Sequence, residues 1–314
     1  MILEIVLIAV GLAVVLWGAD RFTDGASALA RRLKVSELVI GLTVVSLGTS
    51  LPEFMVSLMS LLQGSSDMSV GNVMGSNIFN ILVIVGASAI MRNINVDKSL
   101  LWRDIPICLF VSVLLFVFAV SGGMIERWEG MVLAAFFCCY LYMAYRIAIS
   151  DRKSAGQEEA VQTEQMAVWK MLVFIVVGIA ALVLGGRVLV DNAAAVAREW
   201  GISESVIGMT ILAGGTSLPE LATSVVAARK GSFGLALGNV FGSNIFNIAF
   251  VIGFCSSVVP MAVTQIRAED WAMLVGSCVL VWLTGFTSRK FSRWEGTLLL
   301  VCYLAYLTWL IVKK

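Results

Sequence analysis

Long apolar runs separated by short polar breaks make up almost the whole chain. A helix needs roughly 20 apolar residues to cross the hydrocarbon core of a bilayer. Ten runs fit that length: 2–20 (continuing as an amphipathic helix to 33), 37–62, 70–91, 103–121, 128–149, 168–197, 204–228, 235–258, 270–286 and 293–312. The first run has no basic flank, contains Glu4 and lacks a small-residue cleavage site. It is therefore expected to be a spanning helix rather than a removed leader. One interval, SDRKSAGQEEAVQTEQMA at 150–167, is rich in Glu, Gln, Ser and Lys and reads as a linker. It divides the runs five and five. The pattern predicts an all-α membrane protein with ten transmembrane helices: a first five-helix half (1–149), a cytoplasmic linker (150–167) and a second half (168–314).

The two halves repeat one another. At an offset of 167 residues, 41–90 overlays 208–257 without a gap, and 22 of the 50 pairs are identical. GTSLPE occurs at 48–53 and again at 215–220, and GNVMGSNIFNI at 71–81 meets GNVFGSNIFNI at 238–248. The repeats extend over about 37–91 and 204–258. Asp24 and Asp191 also fall in register, without an evident role. RWEG recurs at 127–130 and 293–296, one residue off the same register. Because each half has an odd number of spans, the second copy is expected to lie upside down relative to the first. Inverted repeats of this kind place a substrate site near the bilayer midplane, where broken helices of the two halves meet. The identities fall on polar residues, Gly and Pro, while apolar positions drift, which favours a shared site over shared packing alone.

Charge in the loops sets the orientation. With the N-terminus outside, inner segments carry 15 Lys and Arg and outer segments 5. Both termini are thus expected outside, with the linker in the cytoplasm.

GTSLPE carries the chemistry. Pro52 and Pro219 have no N–H and crowd the carbonyls of Gly48 and Gly215, so each helix is expected to break there. Freed backbone carbonyls inside a membrane belong beside a cavity or an ion. Helical spacing puts Ser46, Thr49, Ser50, Glu53 and Ser57 on one face, and Ala213, Thr216, Ser217, Glu220 and Ser224 on its counterpart. A carboxylate within a membrane span is a candidate functional group. On the following helices Asn72, Ser76 and Asn80 share a face, as do Asn239, Ser243 and Asn247, and are expected to aim neutral oxygens at the same cavity. Asn77 and Asn244 lie off that face and are expected to bond backbone across helices. Gly71, Gly75, Gly238 and Gly242 have the small-xxx-small spacing of close helix contacts.

Two carboxylates, hydroxyls, amide oxygens and backbone carbonyls form an all-oxygen set, suited to hard cations such as Ca²⁺ and Na⁺. No thiolate or imidazole converges on it, which argues against zinc and copper. Mg²⁺ retains its waters and suits such a cage less well. An empty site with two desolvated carboxylates is unfavourable, so exchange of one cation load for another is the expected mode. Protonation of both carboxylates is the competing way to neutralise the site.

Composition narrows the function classes. The chain is 59% hydrophobic and 14% charged, with a net charge of +1, and no basic patch suggests nucleic acid. Histidine is absent altogether, which removes histidine-based catalysis, relays and metal sites. The six cysteines lie in apolar runs and read as small hydrophobes. No GxSxG or phosphate loop is present, so an enzyme is not expected, nor is any cofactor beyond the transported ions.

GTSLPE and GSNIFNI, each present twice in matched halves, resemble the alpha-repeats of the cation/Ca²⁺ exchanger superfamily, most closely those of prokaryotic Na⁺/Ca²⁺ exchangers. The resemblance implies that Glu53 and Glu220 are shared Ca²⁺ and Na⁺ ligands. It implies that Thr49, Thr216, Ser50, Ser217, Ser76 and Ser243 supply hydroxyl oxygens, and that the backbone carbonyls of Ser46 and Ala213 are helix-break ligands. It also implies centre-facing roles for Asn80 and Asn247. Some microbial members carry Asp where this chain has Asn247, so only two central carboxylates remain here, which argues against K⁺ co-transport. The resemblance further implies that the first and sixth spans slide across the rest. The expected function is Na⁺/Ca²⁺ antiport by alternating access, by a monomer in a prokaryotic inner membrane. The alternatives are H⁺/Ca²⁺ exchange on the same scaffold and a passive cation channel.

Overall fold

The computed structural model describes residues 2–155, 166–201 and 213–312. Its helices are α1 (Ile2–Leu33), α2 (Glu37–Thr49), α3 (Leu51–Leu62), α4 (Ser66–Met91), α5 (Leu100–Gly122) and α6 (Arg127–Ala155). Then follow α7 (Val168–Glu199), α8 (Ala213–Thr216), α9 (Leu218–Lys230), α10 (Phe233–Val258), α11 (Ala268–Ser288) and α12 (Arg293–Val312). Among the described residues eight helices are long and apolar enough to cross a membrane, and nine if α2 and α3 form one bent span. The protein is an all-helical membrane protein. Residues 204–212 of the run expected at 204–228 lie outside the described residues. The interval expected to be linker begins as helix, since α6 runs on to Ala155.

The apolar surface is sorted by depth. The spanning windows of α4 and α10 are 72% and 94% buried, against 17–39% for the other spanning helices. These two therefore form the centre, and the others expose apolar faces suited to lipid. Cys108, Cys255 and Cys278 are buried, as small hydrophobes should be. Cys138 and Cys139 are exposed on α6 instead.

Proline breaks the second span where its chemistry requires. The chain between α2 and α3 bends by 45° at Ser50, two residues before Pro52. Pro52 occupies the first turn of α3, where a missing N–H costs nothing. Pro219 does the same at the start of α9, after Ser217. Three other helices widen locally into π turns: Asn80–Ile84 in α4, Leu100–Asp104 in α5 and Phe246–Ile252 in α10, and α2 does so at Gly41–Val45. Such bulges inside helices frequently mark functional positions.

Glycine lets the helices touch at backbone distance. A Cβ on Gly178 of α7 would lie 2.8 Å from Phe22 Cβ on α1, and one on Gly11 of α1 would lie 2.9 Å from the Gly185 carbonyl. In the centre, a Cβ on Gly238 of α10 would lie 2.7 Å from the Leu38 carbonyl of α2.

Four two-residue strands join the connections. β1 (Ile94–Asn95) pairs antiparallel with β4 (Lys290–Phe291), and β2 (Met124–Ile125) with β3 (Met261–Ala262). The pair Ile94 with Phe291 corresponds to Met261 with Ile125 if β1 maps to β3 at an offset of 167 and β2 to β4 at 166. The one-residue change of register seen for RWEG is thus present in the ladders too.

The RWEG copies have matching roles. Glu129 Oε2 accepts the backbone N–H of Glu126 at 2.8 Å, and Glu295 Oε2 that of Ser292 at 2.7 Å, closing the first turns of α6 and α12. A Cβ on Gly130 would lie 2.8 Å from the Gly253 carbonyl, and one on Gly296 2.6 Å from the Gly86 carbonyl. Each motif therefore caps a peripheral helix and docks it on a central one.

Asp24 and Asp191 do not have matching roles. Asp24, with Asp20, receives Lys230 at 2.7 Å, tying α1 to the end of α9. Asp191 pairs at 3.6 Å with exposed Arg187 on its own helix.

Candidate ion-binding site

Both GTSLPE carboxylates are fully buried, with 0% exposure for Glu53 and for Glu220. Each is anchored by the hydroxyl that follows the threonine in the other copy of the motif. Ser217 Oγ donates to Glu53 Oε1 at 2.9 Å, and Ser50 Oγ donates to Glu220 Oε1 at 2.8 Å. The two breaks thus face one another, and the carboxylates are near enough to interact electrostatically. Among the described residues neither forms an ion pair with lysine or arginine. Two buried anions without a fixed counter-charge are strongly unfavourable unless a cation or protons neutralise them.

The asparagines of α4 and α10 hold the broken helices in place. Asn72 Nδ2 donates to the Glu53 carbonyl at 3.2 Å and to Ser57 Oγ at 2.9 Å. Asn239 Nδ2 donates to the Glu220 carbonyl at 3.4 Å and to Ser224 Oγ at 2.9 Å. This corrects the expectation that Asn72 and Asn239 aim oxygens at the cavity: their amides brace the helix that carries each glutamate. Asn239 does more than its counterpart, because its Oδ1 also accepts Thr49 Oγ1 at 3.0 Å.

What remains is a set of buried oxygens without a hydrogen-bond partner. Those that recur in both repeats are Oε2 of Glu53 and Glu220, Oδ1 of Asn80 and Asn247, and Oγ of Ser76 and Ser243, whereas the oxygens of Thr23, Ser69, Ser88, Tyr140, Thr216 and Thr223 have no such pairing. The six recurring residues are all at most 1% exposed. They form three pairs at the 167-residue offset. Buried polar atoms are normally satisfied, so a matched set of unsatisfied oxygens is the signature of a group that takes a ligand. Oxygen alone suits a hard cation.

The other expected residues sit around this set. Thr49 lies beside Glu220 and Thr216 beside Glu53, and Thr216 Oγ1 also has no hydrogen-bond partner. The Ser46 carbonyl accepts the Ser50 N–H at 3.0 Å and Thr49 Oγ1 at 3.5 Å, so it keeps its partner within the helix. Ala213 opens the short helix α8 at the second break.

Comparison with known proteins shows the family. The family model described as "Sodium/calcium exchanger protein" matches residues 3–146 and 170–312. The chain belongs to that family. It is 33% identical over 339 residues to the sodium/calcium exchanger MaX1 of Methanosarcina acetivorans, covering 96% of each chain. It is 36% identical over 327 residues to the inner membrane protein YrbG of Escherichia coli, covering 99% of this chain and 98% of the relative. Its structure superposes on that of the sodium-calcium exchanger NCX_Mj soaked with 2.5 mM Na⁺ and 0.1 mM Ca²⁺, with a TM-score of 0.83 and 33% identity over 98% of each chain. These relatives are transport and membrane proteins rather than enzymes.

Proposed function

We propose that the protein is a secondary active antiporter that exchanges Na⁺ for Ca²⁺ by alternating access. The cations are bound at the bilayer midplane in a cage centred on Glu53 and Glu220. The observation that carries this reading is the paired set of partnerless buried oxygens around two carboxylates that no basic side chain among the described residues neutralises. A single Ca²⁺ balances both charges, and Na⁺ ions do so at the same oxygens. The bare cage resists crossing the membrane because its charges are desolvated, and that makes exchange obligatory.

In this reading Glu53 and Glu220 are shared ligands. Ser50, Ser217, Thr49 and Thr216 shape and line the cage, Ser76, Ser243, Asn80 and Asn247 supply neutral oxygens, and the backbone carbonyls of Ser46 and Ala213 are ligands at the helix breaks. The chain forms ten spans as two inverted five-helix halves, 1–149 and 168–314, joined by a cytoplasmic linker at 150–167. The ladders, the capping glutamates and the glycine crossings at Gly11 and Gly178 and at Gly130 and Gly296, which map onto each other between halves, support that arrangement. The membrane is the prokaryotic inner membrane, in keeping with the YrbG relative, and both termini lie outside.

The test is uptake of radioactive Ca²⁺ into liposomes loaded with Na⁺, using the purified protein and the variants Glu53→Gln and Glu220→Gln. Uptake that requires internal Na⁺ and disappears in both variants is expected. Uptake driven equally by internal acid without Na⁺ would identify an H⁺/Ca²⁺ exchanger, and uptake indifferent to internal ions would identify a channel.

A further inference from the structure

At the crossing of α4 and α10, Asn77 and Asn244 close a hydrogen-bonded ring to which Asn80 and Asn247 are each attached, all four 0% exposed. Asn77 Nδ2 donates to the Asn244 backbone carbonyl at 3.1 Å, and Asn244 Nδ2 donates to the Asn77 backbone carbonyl at 3.2 Å. Asn80 Nδ2 donates to Asn244 Oδ1 at 3.0 Å, and Asn247 Nδ2 to Asn77 Oδ1 at 3.1 Å. The oxygens left over, Asn80 Oδ1 and Asn247 Oδ1, are partnerless.

An asparagine side chain has a donor end and an acceptor end of nearly the same shape. In a cation cage the difference is decisive, because an NH₂ group turned inward repels the ion and removes a ligand. The ring resolves this by a chain of forced choices. A backbone carbonyl can only accept. Asn244 must therefore turn its NH₂ toward the Asn77 carbonyl, which turns its Oδ1 toward Asn80. Asn80 must then give its NH₂ to Asn244, and its Oδ1 is left for the cavity. The same sequence runs from the Asn244 carbonyl through Asn77 to Asn247.

We infer that Asn77 and Asn244 are positioning residues that lock the amides of Asn247 and Asn80 with their oxygens turned toward the transported cation. The inference rests on the reading of Asn80 and Asn247 as cage oxygens and goes beyond it. It assigns a role to two residues that themselves contribute no atom to the cage, and it pairs each with one specific partner in the opposite half. A helix-tethering role for the same two residues would use only the backbone bonds and would leave the Oδ1 contacts without consequence.

The two roles separate in a double-mutant test, read as KM for Ca²⁺ in Na⁺-loaded liposomes. A carboxylate has no donor end, so Asp at position 80 or 247 presents oxygen whichever way it turns. Asn244→Ala is expected to raise KM about tenfold in the native background. It should have little effect on KM in an Asn80→Asp background, yet keep its full effect in Asn247→Asp. Asn77→Ala should be suppressed by Asn247→Asp and not by Asn80→Asp. Equal KM ratios for each alanine variant in all three backgrounds, or no change in the native one, would overturn the inference. Thermal unfolding of each variant in detergent accompanies the assay, since a tether alone would lower stability alike in every background. Should native protein show no Na⁺-driven Ca²⁺ uptake, or should Asn80→Ala and Asn247→Ala leave KM unchanged, the cage reading fails instead, and the two failures are distinct.

Discussion

Ser217 Oγ lies 2.9 Å from Glu53 Oε1, so the serine at the break of one repeat holds the carboxylate of the other. Ser50 does the same for Glu220 at 2.8 Å. A hydroxyl that donates to one carboxylate oxygen leaves the second oxygen free and fixes its direction. Ser50→Ala and Ser217→Ala should each cost about 1.5–3 kcal/mol of cation binding, the range for hydrogen bonds to charged groups. The expected readout is a KM for Ca²⁺ raised by roughly ten- to a hundredfold while the protein remains folded. An unchanged KM would show that the serines do not orient the carboxylates.

The two bracing asparagines are not equivalent. Asn72 and Asn239 both bond the helix of their own glutamate, but only Asn239 also accepts Thr49 from the other half. Asn239→Ala should therefore be the more damaging substitution, by about 1 kcal/mol, the worth of one further hydrogen bond. Midpoints of thermal unfolding in detergent, compared for Asn72→Ala and Asn239→Ala, check the order. Equal losses would mean that the Thr49 contact contributes nothing.

Close packing of α1 on α7 makes a third prediction. A methyl group on Gly178 would meet Phe22 Cβ at 2.8 Å. Gly178→Ala should destabilise the protein by about 1–3 kcal/mol, the usual cost of overpacking. Gly276 is exposed on α11 with no atom near a built Cβ. Gly276→Ala should be neutral or stabilising by up to about 1 kcal/mol, because alanine favours helix over glycine. A stable, fully active Gly178→Ala protein would contradict the interface.

Cys108 on α5 and Cys278 on α11 have their sulfurs 4.0 Å apart, both buried. A modest rotation of each side chain brings them to bonding distance. A membrane-permeant oxidant should thus form an intrachain disulfide at this pair, detected as a linked peptide by mass spectrometry and absent from Cys278→Ala. Linkage of either residue to Cys255 instead would disprove the packing of α5 on α11.

Much of this structure is legible in the sequence. Helical phase places Ser46, Thr49, Ser50, Glu53 and Ser57 on one face, and all five are buried. Pro52 and Pro219 announce the breaks, and the family is evident in the duplicated motifs. Other features depend on contacts between separate helices. Periodicity puts Asn72 and Asn80 on one face but does not say which end of an amide points where, and so Asn72 proves a brace. It assigns Asn77 and Asn244 their backbone bonds but not the ring they close. The repetition of both residues at one offset was the available signal. RWEG shows itself as a repeat, yet its glycine crossing exists only once α6 and α12 have docked on α10 and α4. Asp24 and Asp191 share a register but not a partner, because Lys230 has no basic counterpart at Gln63.

The two short ladders bear on how the molecule is made. Each pairs a connection in the first half with one in the second: β1 awaits β4, and β2 awaits β3. The serine–glutamate bonds and the asparagine ring likewise bridge residues 164–170 apart. A ribosome that has delivered α1 to α6 has therefore completed none of these closures. The nascent first half carries Glu53 without its Ser217 partner and Asn77 without Asn244, and these bonds form only when synthesis has passed α10. Folding of the centre is thereby a late event that needs both repeats at once.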